Sequence, residues 1–290
     1  MSANQSPAPI VVVLAAAHGT RMGSPLPKVL HPVCGRPMVR WRVRAALDAG
    51  AHRVVVVGGP DGALAGTLPE GVALAIQPEA RGTGDAVRCA AAHLERDRPV
   101  VVLAGDVPLI TASAIAGLVR NHRESGSAAT MLTTLLEDPT GHGRVVRDER
   151  GDVLRVVETK APGDCTLNEL AIREVNTGVL CFDGGALLDV LDRLGTENAQ
   201  GEVYLPEALP LLRAAGRRVA AHLEAGVTVV DPARTVIDAD VRIGAGTVIE
   251  PGCRLGGATT LGRGPRCTLR DAQVGDGAVL AARFTPAAAR

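Results

Sequence analysis

Three short stretches carry residue types suited to phosphate chemistry. The first is LAAAHGTRMGSPLPKVL, residues 14–30, where Gly19-Thr20-Arg21 is followed by Lys28 beside Pro27. Successive backbone N–H groups before a helix can cradle phosphate oxygens, and glycine permits the close approach. Arg21 and Lys28 would add the charge that a transferring phosphate needs. Neither GxGxxG nor GxxxxGK[ST] is present, so this is no ordinary dinucleotide or P-loop signature. Taken alone, the loop also reads as a surface turn with two solvated cations. The second stretch, QPEARGTG at residues 77–84, follows an apolar run and opens a helix. The Gln77 amide can both donate to and accept from a base edge, and glycine with threonine at a helix start suits an anion or a base. Glycine-rich helix entries are also common without any ligand. The third, GDVP at residues 105–108, places Asp106 just past an apolar run. A carboxylate there makes a good Mg²⁺ ligand beside a nucleotide, although Asp after a strand is as often a turn residue.

Positioning these groups requires strands that end where they begin. Residues 10–16 are apolar throughout and read as a buried strand. Pro37 opens a helix that stops at Gly50, and residues 54–57, 73–76 and 100–104 read as further buried strands. Residues 84–95 look helical, and Thr111 is placed to cap the next helix. Strands alternating with helices predict a mostly parallel sheet covered on both faces. Ligands in such folds bind beyond the carboxyl ends of the strands, where the loops after Ala16 and Ala104 fall.

From about Thr235 the texture changes. Ile237, Ile243, Ile249, Leu255, Leu261 and Cys267 recur every six residues, and Val274 continues the pattern after a slip of one. Hexapeptide periodicity predicts a parallel β-helix of about two to three coils with these residues inward. So short a stack has exposed ends and is expected to associate with copies of itself.

Composition excludes several classes. Lys plus Arg and Asp plus Glu both number 31, without a basic stripe, and only 1% of residues are aromatic. Nucleic acid is therefore not an expected partner. No acid precedes Asp48, while Arg21, Lys28, Arg36, Arg40, Arg42 and Arg44 all do, a local excess that suits a small anion. Arg40 and Arg44, four apart, read as a solvated helix face. The six cysteines form no CxxC pair, which argues against zinc or a disulfide framework. The start of the chain has no basic leader, and the first apolar run is too short to span a membrane. A soluble cytoplasmic protein is expected. No Ser-His-Asp set stands out.

Read in order, LAAAHGTRM with LPKVL, QPEARGTGDA, LAGDVPL, GHGRVVRD, VVETK, EVNTG and NAQGEVYL resemble the sugar-1-phosphate nucleotidyltransferases. The match is to the bifunctional N-acetylglucosamine-1-phosphate uridylyltransferase / glucosamine-1-phosphate acetyltransferase family, over residues 10–280. The resemblance implies an α/β fold: a Rossmann-like nucleotidyltransferase domain over residues 1–225, a short left-handed parallel β-helix that trimerises over 226–280, and a tail over 281–290. It implies UTP and N-acetylglucosamine-1-phosphate as substrates and Mg²⁺ as cofactor. Carried over by position, Arg21 and Lys28 would bind the phosphates and stabilise the transition state. Leu14, Ala15, Ala17, Gly19, Gln77, Gly82 and Thr83 would hold the nucleotide, with the last three at the uracil end. Asp106 would ligate Mg²⁺, and Gly143, Glu158 and Asn176 would contact the sugar.

The chain departs from this family at several positions. Ala17 replaces the first glycine of the usual LAAGxGTRM, which costs something only if that position needs a positive φ. Ala104 replaces a tyrosine, Arg81 and Asp85 replace leucine and histidine, and His142 replaces another tyrosine. The GVNDR-like stretch, whose asparagine is the second metal ligand in the family, has no counterpart, so weaker metal binding is expected. The later coils that hold the family's acetyltransferase site have no counterpart either, and no acetyl transfer is expected. Two alternatives stay open: a nucleotidyltransferase for another sugar phosphate, and a weak or inactive nucleotide-binding relative acting as a trimeric scaffold.

Overall fold

The run IVVVL forms strand β1 (Ile10–Leu14), whose first four side chains are fully buried. β-branched residues favour such a doubly covered strand. The computed structural model describes residues 7–17, 19, 22–159, 165–196 and 201–223, and short segments between 228 and 280. These fall into two compact units, Met1–Leu223 and Glu224–Arg290.

In the first unit the chain continues through a hairpin, β2 (Pro32–Val33) and β3 (Arg36–Pro37), to α1 (Met38–Asp48). There follow β4 (Arg53–Gly58), β5 (Ala73–Ile76), α2 (Thr83–Cys89), β6 (Pro99–Ala104), α3 (Ala112–Ser125) and β7 (Ala129–Leu135). Next come β8 (Arg144–Arg147), β9 (Val153–Val157), α4 (Leu167–Leu170), β10 (Glu174–Asp183), α5 (Gly184–Leu191), α6 (Ala208–Ala214) and β11 (Val219–Leu223). The main sheet runs β11-β7-β10-β6-β1-β4-β5, with β8 and β9 attached beside β10. Strands β6, β1, β4 and β5 are parallel, as are β11 and β7, but β10 lies antiparallel to both of its neighbours. The parallel sheet expected from alternating elements is thus interrupted by β10, and in the attached pair β9 also runs in the reversed direction. Antiparallel pairing needs no crossover helix, which lets β10 return directly beside β6.

Alternation along β1 sends its residues to opposite layers. Val11 and Val13 join Val39 and Val43 of α1 and Ile115 and Leu118 of α3, while Ile10 and Val12 join Val87, Leu187 and Leu209 from α2, α5 and α6. Both faces of the sheet are covered, as expected. The Thr111 hydroxyl accepts from Ala114 N and caps α3. Helix α2 is shorter than the pattern suggests: it ends at Cys89 and gives way to a 3₁₀ turn, Ala91–His93.

Among its described residues the second unit contains nine two-residue strands, β12 (Thr228–Val229), β13 (Val236–Ile237), β14 (Arg242–Ile243), β15 (Val248–Ile249), β16 (Arg254–Leu255), β17 (Thr260–Leu261), β18 (Thr268–Leu269), β19 (Gln273–Val274) and β20 (Val279–Leu280). Strands β12 to β17 each pair in parallel with the strand three elements on, giving three ladders, β12-β15-β18, β13-β16-β19 and β14-β17-β20. Val236 pairs with Arg254 and Arg242 with Thr260, but Arg254 pairs with Gln273 and Thr260 with Val279, one residue further on. Leu269, not Cys267, is the residue in register with Ile249, so the slip in the hexapeptide period falls between Leu261 and Leu269, and Leu269 takes the register position expected for Cys267. Ile249, Leu255 and Leu261 are buried together with Cys253, and Ile237 and Ile243 pack against them. Cys267 and residues 281–290 lie outside the described residues.

Candidate functional site

The carboxyl ends of β1, β4, β5 and β6 share one edge of the sheet. Leu14 is in register with Val57 and with Ala104, and Gly58 with Ile76. The loop after β1, Gln77 after β5 and Asp106 after β6 therefore emerge side by side. Asp106 and Gln77 are separated by three strand spacings, about 14 Å at about 4.8 Å each.

Lys28 and Asp106 meet on this edge. Lys28 begins a 3₁₀ turn, Lys28–Leu30, whose Val29 is buried. Its Nζ donates to Asp106 Oδ2 at 2.7 Å, and both side chains stay about one third exposed, at 32% and 37%. Gly105 N donates to Leu14 O at 2.8 Å, and a Cβ at Gly105 would stand 2.5 Å from that oxygen. Only glycine lets the end of β6 close on β1 and deliver Asp106 here. Gly19 has φ +66°, and a Cβ there would fall 2.6 Å from Lys28 Cβ. Gly19 is thus needed both for its left-handed backbone and for the passage of Lys28. Ala17 is exposed, and Cys34 is the sole non-glycine with positive φ among the described residues. The family glycine that Ala17 replaces is therefore not required for a left-handed backbone. Ala15 is buried, and its N–H donates to Val57 O. Arg21 lies outside the described residues.

At the far end, Gln77 is 3% exposed. Its Nε2 donates to Gly82 O at 3.1 Å and to Asp85 Oδ2 at 2.8 Å. Gly82, at φ +109°, would put a Cβ 2.5 Å from Val203 O. The Thr83 hydroxyl accepts from Leu205 N at 2.9 Å, Val203 N donates to Arg81 O, and Gly84 N donates to Val203 O. Gly82 and Thr83 thus anchor the segment 203–205 against the loop.

That segment carries Tyr204, a residue the sequence reading did not single out. Its hydroxyl donates to Glu158 Oε1. Burial above all, then the Glu158 carboxylate, pushes the Tyr204 phenol well above its ordinary range, so it stays a donor. Gly143 lies against Glu158: a Cβ there would be 3.2 Å from Glu158 Oε1 and 2.8 Å from Val156 Cγ1. Gly143 O accepts from Asn176 N at 3.0 Å, and Asn176 Oδ1 accepts from Gly178 N across the bulge in β10. The structure therefore brings Gly143, Glu158 and Asn176 together. The β10–β6 register runs toward Gly178 beside Ala104, whose Cβ would lie 3.8 Å from one at Gly178. Asn176 follows on the Asp106 side of the sheet. The buried Arg144 guanidinium donates to Pro139 O and His142 O and holds the loop before Gly143. Its motif, GHGR, carried this signal; Tyr204 could have been found as the sole tyrosine of a chain poor in aromatics.

Arg42 of α1 is 1% exposed, and none of its three guanidinium nitrogens has a hydrogen-bond partner. Burial pushes it down to about 10, against the opposing pull of Asp106. Among the described residues, no group of three or more His, Cys, Asp or Glu side chains could hold a metal ion. Among the described residues, no helix is long and apolar enough to cross a membrane.

A glycine-shaped loop, a lysine and a carboxylate at the ends of parallel strands define a nucleotide-handling α/β domain. The family described as the MobA-like NTP transferase domain matches residues 11–226, and the chain belongs to that family. It is similar to proteins named bifunctional protein GlmU. It is 42% identical to that of Mycolicibacterium vanbaalenii over 93% of this chain and 64% of the relative. For Thermoanaerobacter pseudethanolicus the figures are 38%, 92% and 66%, and for Kineococcus radiotolerans 42%, 93% and 63%. The chain thus spans somewhat under two thirds of the length of these relatives.

Proposed function

We propose that the chain is a sugar-1-phosphate uridylyltransferase that makes UDP-N-acetylglucosamine and pyrophosphate from UTP and N-acetylglucosamine-1-phosphate. The observation that carries this reading is the Lys28–Asp106 pair at the strand edge. Gln77 stands on one side of it, and the Gly143, Glu158 and Asn176 cluster on the other. Along this edge the base would sit over Gln77, the phosphates over Lys28, and the sugar against Glu158 and Asn176.

In the reaction a phosphate oxygen of the sugar phosphate attacks the α-phosphorus of UTP. The new P–O bond forms as the bond to the β-phosphate breaks, and pyrophosphate leaves with that electron pair. A phosphate monoester has a second pKa of about 6, so the nucleophile is already ionised near neutral pH and needs no general base. What remains is positioning and charge neutralisation. Lys28 supplies an ammonium beside the phosphates, and by its place in the sequence Arg21 supplies a second cation. Glu158 and Asn176 orient the sugar so that its phosphate lies in line. The partly exposed Asp106 carboxylate fits a Mg²⁺ ion, which commonly takes one or two carboxylates and completes its shell with substrate phosphates and water. Bound there, Mg²⁺ would offset charge on the leaving pyrophosphate.

The three parallel ladders and their inward Ile249, Leu255 and Leu261 support a left-handed β-helix for the second unit. The hexapeptide repeats, by their resemblance to the family's trimerising unit, support self-association as a homotrimer. No acetyl transfer is proposed for residues 226–280. The test is pyrophosphate release from UTP and N-acetylglucosamine-1-phosphate by the purified chain, with and without Mg²⁺. Mg²⁺-dependent release is expected. UTP binding without release, across a panel of sugar phosphates, would instead favour a scaffold.

A further inference from the structure

We propose that Asp85 selects the base by pinning the Gln77 side-chain amide so that Oε1 faces the ligand. The inference rests on the reading of Gln77 as the base-end residue. It goes beyond that reading by assigning the choice between uracil and cytosine to a carboxylate that acts through the Gln77 amide.

The geometry fixes the amide. Both Nε2 hydrogens are taken, one by Gly82 O at 3.1 Å and one by Asp85 Oδ2 at 2.8 Å. A carboxylate and a carbonyl only accept. Turning the amide over would set Oε1 against two oxygens inside a nearly closed site, which is costly for buried polar groups. Asp85 is itself held. Arg88 Nη1 lies 3.6 Å from Asp85 Oδ1, and Arg88 Nη2 donates to Leu191 O at 2.8 Å. The Asp85 side chain is 16% exposed. Arg88, Asp85 and Gln77 therefore form a chain running from the α5 side of the sheet to the base position, and Oε1 is the amide atom left for a ligand.

An acceptor at that point matches the N3–H of uracil. Cytosine presents a lone pair at N3 and would meet Oε1 acceptor to acceptor. A site built to hydrogen-bond one group rejects an analogue that cannot supply it, because its own buried polar atom is left unpaired. Asp85 acts through Gln77 and is a positioning residue.

The experiment measures equilibrium binding of UTP and of CTP, in Mg²⁺, to the wild-type chain and to Asp85→Asn, with thermal melting as a folding control. The asparagine keeps the volume but can donate as well as accept, so it removes one of the two acceptors that hold the amide and leaves Gly82 O alone to oppose the turned Oε1. The wild type is expected to prefer UTP, and Asp85→Asn to lose about tenfold or more of that preference, the scale of a hydrogen bond to a charged group. A merely structural role would weaken both nucleotides equally and leave their ratio unchanged, and that result overturns the proposal. Equal binding of UTP and CTP by the wild type overturns it as well. Binding is read without turnover, so an absence of pyrophosphate release would count against the catalytic reading alone.

Discussion

Lys28 Nζ stands 2.7 Å from Asp106 Oδ2, so the loop after β1 and the end of β6 are joined by one ion pair at the mouth of the site. With both side chains about one third exposed, the pair is worth about 0–1 kcal/mol to stability. Its value lies in what it places side by side. Lys28→Ala is expected to shift the melting temperature by no more than about 4 °C. It should lower Mg²⁺-dependent pyrophosphate release about 100-fold or more, as loss of a charge-stabilising group does. Parallel melting curves and release assays check this, and retained turnover in the variant would remove Lys28 from the chemistry.

Gly19 and Ala17 should respond in opposite ways to exchange. Gly19→Ala forces a methyl into a left-handed backbone and against Lys28 Cβ. It should cost about 1–2 kcal/mol of stability and most of the activity, by displacing the Lys28 chain. Ala17→Gly restores the residue usual in the family, yet it should change stability by less than about 1 kcal/mol and turnover little. Urea unfolding and steady-state kinetics on the two variants decide the point.

Tyr204→Phe removes the donor to Glu158 while keeping the ring. The expected result is a kcat/KM for the sugar phosphate lowered about tenfold, with binding of the nucleotide unchanged. An equal loss for both substrates would mean that Tyr204 serves the 203–205 segment as a whole.

Arg42 is buried with its guanidinium unpartnered. A buried charge without a hydrogen-bond partner is costly, and an apolar side chain of similar length removes that cost. Arg42→Met is therefore expected to raise the melting temperature by several degrees. A fall would show that the cation is needed where it lies, beside the core residues Val39 and Val43.

His122 gives the fold a pH dependence. Burial pushes its imidazole down to about 4, and its Nδ1 lies 3.0 Å from Thr130 Oγ1. The unfolded imidazole titrates near 6.5, so on acidification the unfolded chain takes up a proton before the folded chain does. Stability from this group is intact above about pH 6.5 and declines by up to about 3 kcal/mol as pH falls toward 4. His122→Asn should flatten that slope in urea titrations between pH 7 and pH 4, even if it lowers stability at pH 7. A slope equal to that of the wild type would place the dependence elsewhere.

Much of this was legible in the residue order. The buried strands, Thr111 as a helix cap, and Ile249, Leu255 and Leu261 as inward residues follow from local periodicity and capping chemistry, which depend on neighbours in sequence. The motifs around Lys28, Gln77 and Asp106 fixed which loops to watch, because a strand must end before its ligand-binding loop begins. Other features depended on residues far apart in the chain. The reversal of β10 sets Asn176 beside Gly143, and the packing of 203–205 on the Arg81–Gly84 loop brings Tyr204 to Glu158. The commitment of the Gln77 amide to Asp85, and the burial of Arg42 without a partner, likewise arise from packing. The sequence by itself determined the elements and the charged groups, since these are local. Only the tertiary structure decided which hydrogen bonds those groups had already spent, because a donor's partner is set by proximity in space and not by distance along the chain.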